Sequence, residues 1–288
     1  MKKKETTNDH KERMNEVLYH IYKNLSKKLT IEDLAKISSY SPFHFQRMFK
    51  SFTKQSVVTY IKKLRLQWAG NLLIFNPQST ITEIVYTCGF NSSATFSNEF
   101  KKYFNTTPSF WRKGAHENYE SNEYQFKEKE VDFSQIKIEK LEEISIAYIR
   151  HQGYDKTIKT MWQKFLHILE DDFNIKNPTT LAYHHSNPNI TSLEECRYIA
   201  CIEVKDKTLQ PKGDIGICCI PGGLYATIKY QGICEDVLTL YKKLYYQWLP
   251  SSEFEALSSS AHVLYHKNNY LDPEDKFDIE FRIPVRYK

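Results

Sequence analysis

Long apolar runs are missing from this 288-residue chain. None approaches the ~20 residues a membrane-spanning helix needs, and Met1-Lys2-Lys3-Lys4-Glu5 leads into polar residues instead of a signal-peptide core, so a cytoplasmic protein with no membrane partner is expected. The six cysteines, Cys88, Cys196, Cys201, Cys218, Cys219 and Cys234, include no C-x-x-C. Cys196 and Cys201 lack a partner pair at zinc-site spacing, which argues for reduced, mostly buried thiols and against a metal site. No cation stands beside Cys218 and Cys219 in the sequence to lower a thiol pKa. His184, His185 and His262 are scattered without ligand spacing, and no Ser-His-Asp set is present, so no catalytic residue and no cofactor are expected. What remains, 41% hydrophobic and 26% charged, is an ordinary globular composition with room for two domains.

Acid is scarce ahead of residue 117. Residues 1–116 carry 19 Lys or Arg against 8 Asp or Glu, a net +11, whereas residues 117–288 carry 21 against 27, a net −6. A basic first part suits a polyanion, because each neutralised phosphate releases condensed counterion; the acidic remainder does not.

The basic part holds one pattern twice. Leu29-Thr30-Ile31-Glu32-Asp33-Leu34-Ala35 is followed by Ser41-Pro42-Phe43-His44-Phe45-Gln46-Arg47-Met48-Phe49-Lys50, and Thr80-Ile81-Thr82-Glu83-Ile84-Val85 by Gly89-Phe90 and Phe96-Ser97-Asn98-Glu99-Phe100-Lys101-Lys102. Ile31 matches Ile81, Leu34 matches Ile84, Phe45 matches Phe96 and Phe49 matches Phe100. Apolar residues also recur at helical spacing from His10 to Leu25 and from Ser56 to Phe75. Ser41-Pro42, Thr107-Pro108 and the capping box Thr80-x-x-Glu83 are helix starts. About seven helices are expected before residue 116, arranged as two helix-turn-helix motifs.

The second helix of such a motif enters the major groove of double-stranded DNA. In the first motif the groove-facing residues are Pro42, Phe43, Gln46, Arg47 and Lys50. A carboxamide can grip adenine and a guanidinium can grip guanine, so Gln46 and Arg47 are the expected base readers. The second motif offers Ser93, Ala94, Thr95, Ser97 and Asn98, chemically poorer, with Lys101 and Lys102 suited to phosphates. One chain with two readers can span adjacent major-groove segments ~34 Å apart.

Residues 117–130 turn polar and charged and read as a linker between a 1–116 domain and a 131–288 domain. Beyond the linker a second repeat runs at an offset of 79 positions. Ala147-Tyr148-Ile149-Arg150-His151-Gln152-Gly153 matches Ala226-Thr227-Ile228-Lys229-Tyr230-Gln231-Gly232, and Trp162 matches Tyr241 in the same register. The first part alternates as a strand and the second has helical spacing, which predicts a pseudo-twofold α+β domain of two β-α-β-β halves. Further strands are expected at Tyr198 to Val204, Val263 to Tyr265 and Asp278 to Pro284. A cleft between such halves is a common place for a small ligand.

The stretch Leu29 to Arg112, with Ser41-x-x-x-Phe45-x-Arg47-x-Phe49-Lys50, Tyr60-x-x-x-x-Arg65, Gly89-Phe90, Phe96-Ser97-x-x-Phe100-Lys101 and Pro108-x-x-x-Arg112, resembles the DNA-binding domain of AraC/XylS transcription regulators. Gln55 and Asn105 stand where that family usually has glycines. Residues from about Val131 onward resemble the GyrI-like, or effector-binding, domain, through Gly153-Tyr154, Cys196-Arg197-Tyr198, Ile220-Pro221-Gly222-Gly223-x-Tyr225-Ala226, Trp248-Leu249-Pro250 and Asp278-Ile279-Glu280-x-x-Ile283-Pro284-Val285.

The resemblance implies a regulator that senses a small-molecule effector and contacts RNA polymerase. Its ligand candidates are Tyr148, Trp162, Tyr183, Tyr225, Trp248 and Tyr265. Family members commonly place a glutamate where this chain has Val263, and valine can neither hold a cation nor move a proton. A neutral or weakly charged aromatic ligand is therefore expected, unless Glu280 or Glu203 supplies the charge. The competing readings are a GyrI-like small-molecule hydrolase and a protein-binding module fused to a DNA-binding domain.

Overall fold

The structure is a computed structural model that describes residues 2–117, 119, 130–205, 209–233, 236–257 and 260–288. Cys234 and most of the expected linker lie outside the described residues. The chain divides into two compact units, Met1–Asn118 with Gln210–Cys218, and Tyr119–Leu209 with Cys219–Lys288. Among the described residues no helix is long and apolar enough to cross a membrane.

The first unit is helical: α1 Lys2–Lys23, α2 Ile31–Ile37, α3 Pro42–Thr53, α4 Val57–Phe75, α5 Ile81–Thr87, α6 Ser93–Phe104 and α7 Pro108–Phe110, which runs into a π turn Trp111–Ala115. A serine or threonine precedes each helix from α2 to α7, and its side chain accepts the backbone N–H three residues on. That bond satisfies one of the orphan donors of the first turn, so each start is written locally. At Thr80 the capping box is complete, with Glu83 accepting back from the Thr80 N–H at 2.6 Å.

Helices α3 and α6 both stop at a left-handed residue, Lys54 at φ 62° and Asn105 at φ 55°. The left-handed residue is thus Lys54 and not Gln55, and it lies 51 positions before Asn105 just as Lys50 lies before Lys101. The repeat extends through the turn.

Phe45 and Phe49, and their counterparts Phe96 and Phe100, are fully buried, with ring centroids 5.7 and 5.3 Å apart in the two pairs. Met14, Val17, Leu18 and Ile21 of α1 close the core of the first motif. In the second motif Trp111 packs on Phe100 and Phe104 and donates its indole N–H to the Gly70 carbonyl at 3.1 Å.

The strands are β1 Lys137–Leu141, β2 Ile144–Gln152, β3 Thr180–His184, β4 Arg197–Glu203, β5 Gly216–Ile220, β6 Gly223–Ile233, β7 Phe254–Ala256, β8 His262–Lys267 and β9 Lys276–Tyr287; β5 straddles the division of the chain at Cys218, β7 pairs with β9 beside the main path, and the others lie in the second unit. Helix α8 Thr157–Phe173 follows β2. Helix α9 Asp236–Lys243, continued by a π turn Leu244–Trp248 and α10 Leu249–Ser251, follows β6.

The order β1-β6-β9-β8-β3-β4-β2-β5 contains the expected duplication, since β6-β9-β8 mirrors β2-β4-β3 about the β3·β8 pair. Ala147 pairs with Ile202 in one half and its counterpart Ala226 with Ile283 in the other. Strand β1, first in the chain, pairs with the second half through β6.

Candidate functional site

Helices α3 and α6 carry the expected groove-facing residues, all but Ser97 exposed to solvent. On α3, Pro42, Phe43, Gln46, Arg47 and Lys50 are exposed while Phe45 and Phe49 point into the core. Phe43, at 79%, is the most exposed large apolar side chain among the described residues. The Arg47 guanidinium lies 3.1 Å from Nδ1 of His44, one turn back, which holds it along the helix surface.

On α6, Ser93, Ala94, Thr95, Asn98, Lys101 and Lys102 are exposed and Ser97 is half-buried. Glu99 on the same helix is paired with Lys62 of α4 at 2.6 Å, which lowers its carboxyl pKa and removes a free negative charge from this surface.

The ligand candidates of the sheet unit fall on two faces. Paired residues of antiparallel strands share a face and successive residues alternate. Val263 is level with Ala182 and Phe281, and Tyr265 with Thr180 and Ile279; both lie on the face against which α8 packs, where the Trp162 ring sits 6.2 Å from that of Tyr265. Tyr148 and Glu280 share one cross-strand row of the opposite face, and Tyr183 the next. Tyr225 and Glu203 belong to this opposite face as well. Trp248 joins neither group and stacks on Phe254 at 6.4 Å. Neither Glu280 nor Glu203 therefore faces the Val263 side, and Glu280 is engaged by Arg282 at 2.7 Å.

Around Val263 the helix-side groups are phenols, an indole and an imidazole. Trp162 donates its N–H to the Tyr198 hydroxyl at 2.9 Å, which lies 3.1 Å from the Tyr265 hydroxyl. Tyr154 and Tyr198 meet the His184 ring edge-on at 5.7 and 5.6 Å, and Phe281 closes it at 6.4 Å. Burial raises the pKa of Tyr154 and Tyr198 well above the usual phenol value and pushes the His184 imidazole down to about 4, so at neutral pH all three are uncharged. Among the described residues, His184 Nε2 has no hydrogen-bond partner. A buried polar atom left so costs about 1–3 kcal/mol, and a polar ligand atom or a water would remove the cost.

Tyr154, His184 and Tyr198 are not among the ligand candidates that the sequence marks. A signal was present: His184 and Tyr198 are cross-strand partners, but that pairing is invisible until β3 is placed.

The opposite face is more polar. His262 lies between Tyr183 and Tyr225, with ring centroids 5.8 and 5.3 Å away, and burial beside Arg282 pushes its pKa down to about 3. The Arg150 guanidinium lies 4.9 Å over the Tyr148 ring. Of the described cysteines, Cys88, Cys196 and Cys201 are buried, Cys218 and Cys219 half-buried, and burial pushes the Cys196 thiol up to about 12, away from the reactive thiolate. Among the described residues no group of three or more His, Cys, Asp or Glu is placed to hold a metal ion.

Tandem helix-turn-helix motifs with exposed second helices, joined in one chain to a duplicated β-α-β-β sheet, are the architecture of a DNA-binding protein with a second, separate module. Residues 134–286 match the GyrI-like small molecule binding domain and residues 34–114 a helix-turn-helix domain. The chain belongs to the AraC-type transcription regulators, with a GyrI-like domain following the DNA-binding one.

It is similar to the probable transcription factor PqrA of Proteus vulgaris, 37% identical over 104 residues that make up 35% of this chain and 84% of that one. The uncharacterized HTH-type transcriptional regulator YdeC of Bacillus subtilis is 34% identical over 101 residues, 35% of this chain and only 34% of YdeC. Among solved structures, an AraC-type regulator from Chromobacterium violaceum aligns over 35% of this chain and 90% of its own, with 28% identity and a TM-score of 0.33.

Proposed function

We propose that this protein is a one-component, cytoplasmic transcription regulator, not an enzyme, in which residues 1–116 read a specific DNA sequence and residues 131–288 sense a small, uncharged aromatic molecule. In this reading α3 sets most of the base preference through Gln46 and Arg47, with Phe43 against a thymine methyl. Helix α6 adds phosphate and shape contacts through Lys101, Lys102 and its polar first turn. RNA polymerase is the expected protein partner.

The observation that carries the DNA reading is the exposure of Gln46, Arg47 and Phe43 on one helix whose other face is locked in the core. The test is sequencing of genomic fragments retained by the purified protein at two salt concentrations. A shared motif that survives the higher salt supports the reading, and fragments without a motif that vanish with salt overturn it.

The ligand reading is supported by what surrounds Val263: phenols, an indole and a neutral imidazole, with Glu203 and Glu280 on the other face. A hydrolase would need a general acid where valine stands. Neutral planar compounds should raise the melting temperature of the protein while dicationic dyes do not. Tight dye binding that persists in Glu280→Gln and Glu203→Gln would contradict this.

A further inference from the structure

One side chain joins the two helix-turn-helix motifs. Arg65, near the middle of α4, donates from Nε to the Leu25 carbonyl at 2.9 Å, from one terminal nitrogen to the Lys27 carbonyl at 2.6 Å and from the other to the Gly89 carbonyl at 2.8 Å. Leu25 and Lys27 lie in the connection between α1 and α2, which leads into the first motif. Gly89 lies in the turn of the second motif, between α5 and α6. A single planar fork therefore fixes the entry to one motif against the turn of the other.

The approach is close enough to dictate the neighbouring residue. Gly89 has φ +79°, and a Cβ there would meet the Ser26 carbonyl oxygen at 2.8 Å and the Arg65 guanidinium carbon at 3.0 Å. Glycine both adopts that backbone conformation and leaves room for the clamp. Half-burial lowers the Arg65 pKa, yet a guanidinium stays charged at any physiological pH, and charge-assisted bonds to carbonyls are stronger than neutral ones.

Each motif has a phenylalanine core of its own, and α4 is tied separately to the two sides, by the Tyr22–Tyr60 hydroxyl pair at 2.8 Å and by Gln67 donating to Tyr103 at 2.9 Å. Removing Arg65 would leave those contacts in place and release the loops. We propose that Arg65 is the positioning residue that sets the spacing between the two DNA segments the chain reads, by holding α3 and α6 in one fixed relation. Lysine, a point donor on a flexible stem, cannot reproduce a three-carbonyl fork.

The inference rests on the reading that both α3 and α6 touch DNA. Selection from random DNA with the unaltered chain tests that reading first: α3 should select one segment by its bases and α6 an adjacent one by its shape, and a motif with no preference in the second segment would remove the reading before any variant is made. Given a two-segment motif, affinities are measured on duplexes whose spacer is shortened or lengthened by a base pair, for the unaltered chain, Arg65→Met and Arg65→Lys, each with its melting curve. The unaltered chain should discriminate against wrong spacers by about tenfold or more, the scale of a lost base contact. In the variants that discrimination should fall to within about threefold, while base preference inside each segment is kept. If Arg65→Met does not fold, Arg65→Lys carries the comparison. A folded variant that keeps the original spacing discrimination overturns the proposal.

Discussion

In the helical unit the side chains suited to function stand in water, whereas in the sheet unit the groups around Val263 are almost entirely withdrawn from it. Gln46, Arg47 and Lys50 are exposed over a core of Phe45 and Phe49, while Trp162, Tyr198 and Val263 are at most 1% exposed. A DNA groove is a large, charged, preformed partner that reads an outer surface, so specificity and stability can be carried by different residues. A small ligand has to be enclosed, so in the sheet unit the residues that would meet it are also the ones that hold the fold.

This contrast is open to breakage by mutation. Trp162→Ala should cost about 3–5 kcal/mol, from lost burial and the cavity left against Tyr198 and Tyr265. Arg47→Ala should change stability by less than about 0.5 kcal/mol. Denaturant unfolding of the two variants measures both, and a similar loss in each would erase the distinction.

Acid sharpens it. His184 is buried and held neutral, with a folded-state pKa of about 4 against an ordinary 6.5. Its contribution is in full force above about pH 6.5 and drains away as the pH falls toward 4, because the unfolded chain takes up the proton first. At pH 5 the loss should reach about 2 kcal/mol from this residue alone. His262, depressed to about 3, adds to it in the same direction. Urea titrations at pH 7 and pH 5 on His184→Leu and the unaltered chain should show a shallower pH dependence in the variant; equal slopes would mean that the imidazole is not buried neutral. Smaller than either loss in the sheet unit is the effect of Thr80→Ala, which removes one capping box and should lower the stability of the helical unit by about 1 kcal/mol without altering that of the sheet unit. Site-resolved hydrogen exchange separates the two.

The same contrast explains how much was legible in the sequence. A cap is a bond between a hydroxyl and an N–H three residues away, so Ser41-Pro42, Thr80-x-x-Glu83 and Thr107-Pro108 announced α3, α5 and α7 without tertiary context. The exposed face of α3 followed from helical spacing. In the sheet unit the repeat at an offset of 79 exposes the duplication, since the matched residues keep one register through β2 and α8 in one half and through β6 and α9 in the other. The short strands β1, β3, β5 and β7, of three to five residues, carry too few alternations to be read. Above all, the face a strand residue occupies depends on its partners, and residues 183 and 265 pair with strands far along the chain. For that reason sequence alone groups Tyr148, Tyr183 and Tyr225 with Trp162 and Tyr265, which lie across the sheet from them, and does not mark His184.

The most direct test of the account is the base preference of the two reading helices, measured by selection from random DNA with the unaltered chain, Arg47→Ala and Asn98→Ala. The account predicts that Arg47→Ala relaxes the preference at one or two positions of its segment, a loss of about 1–3 kcal/mol of discrimination, and that Asn98→Ala weakens all sequences alike. Uniform weakening by Arg47→Ala together with relaxed base preference in Asn98→Ala would contradict it.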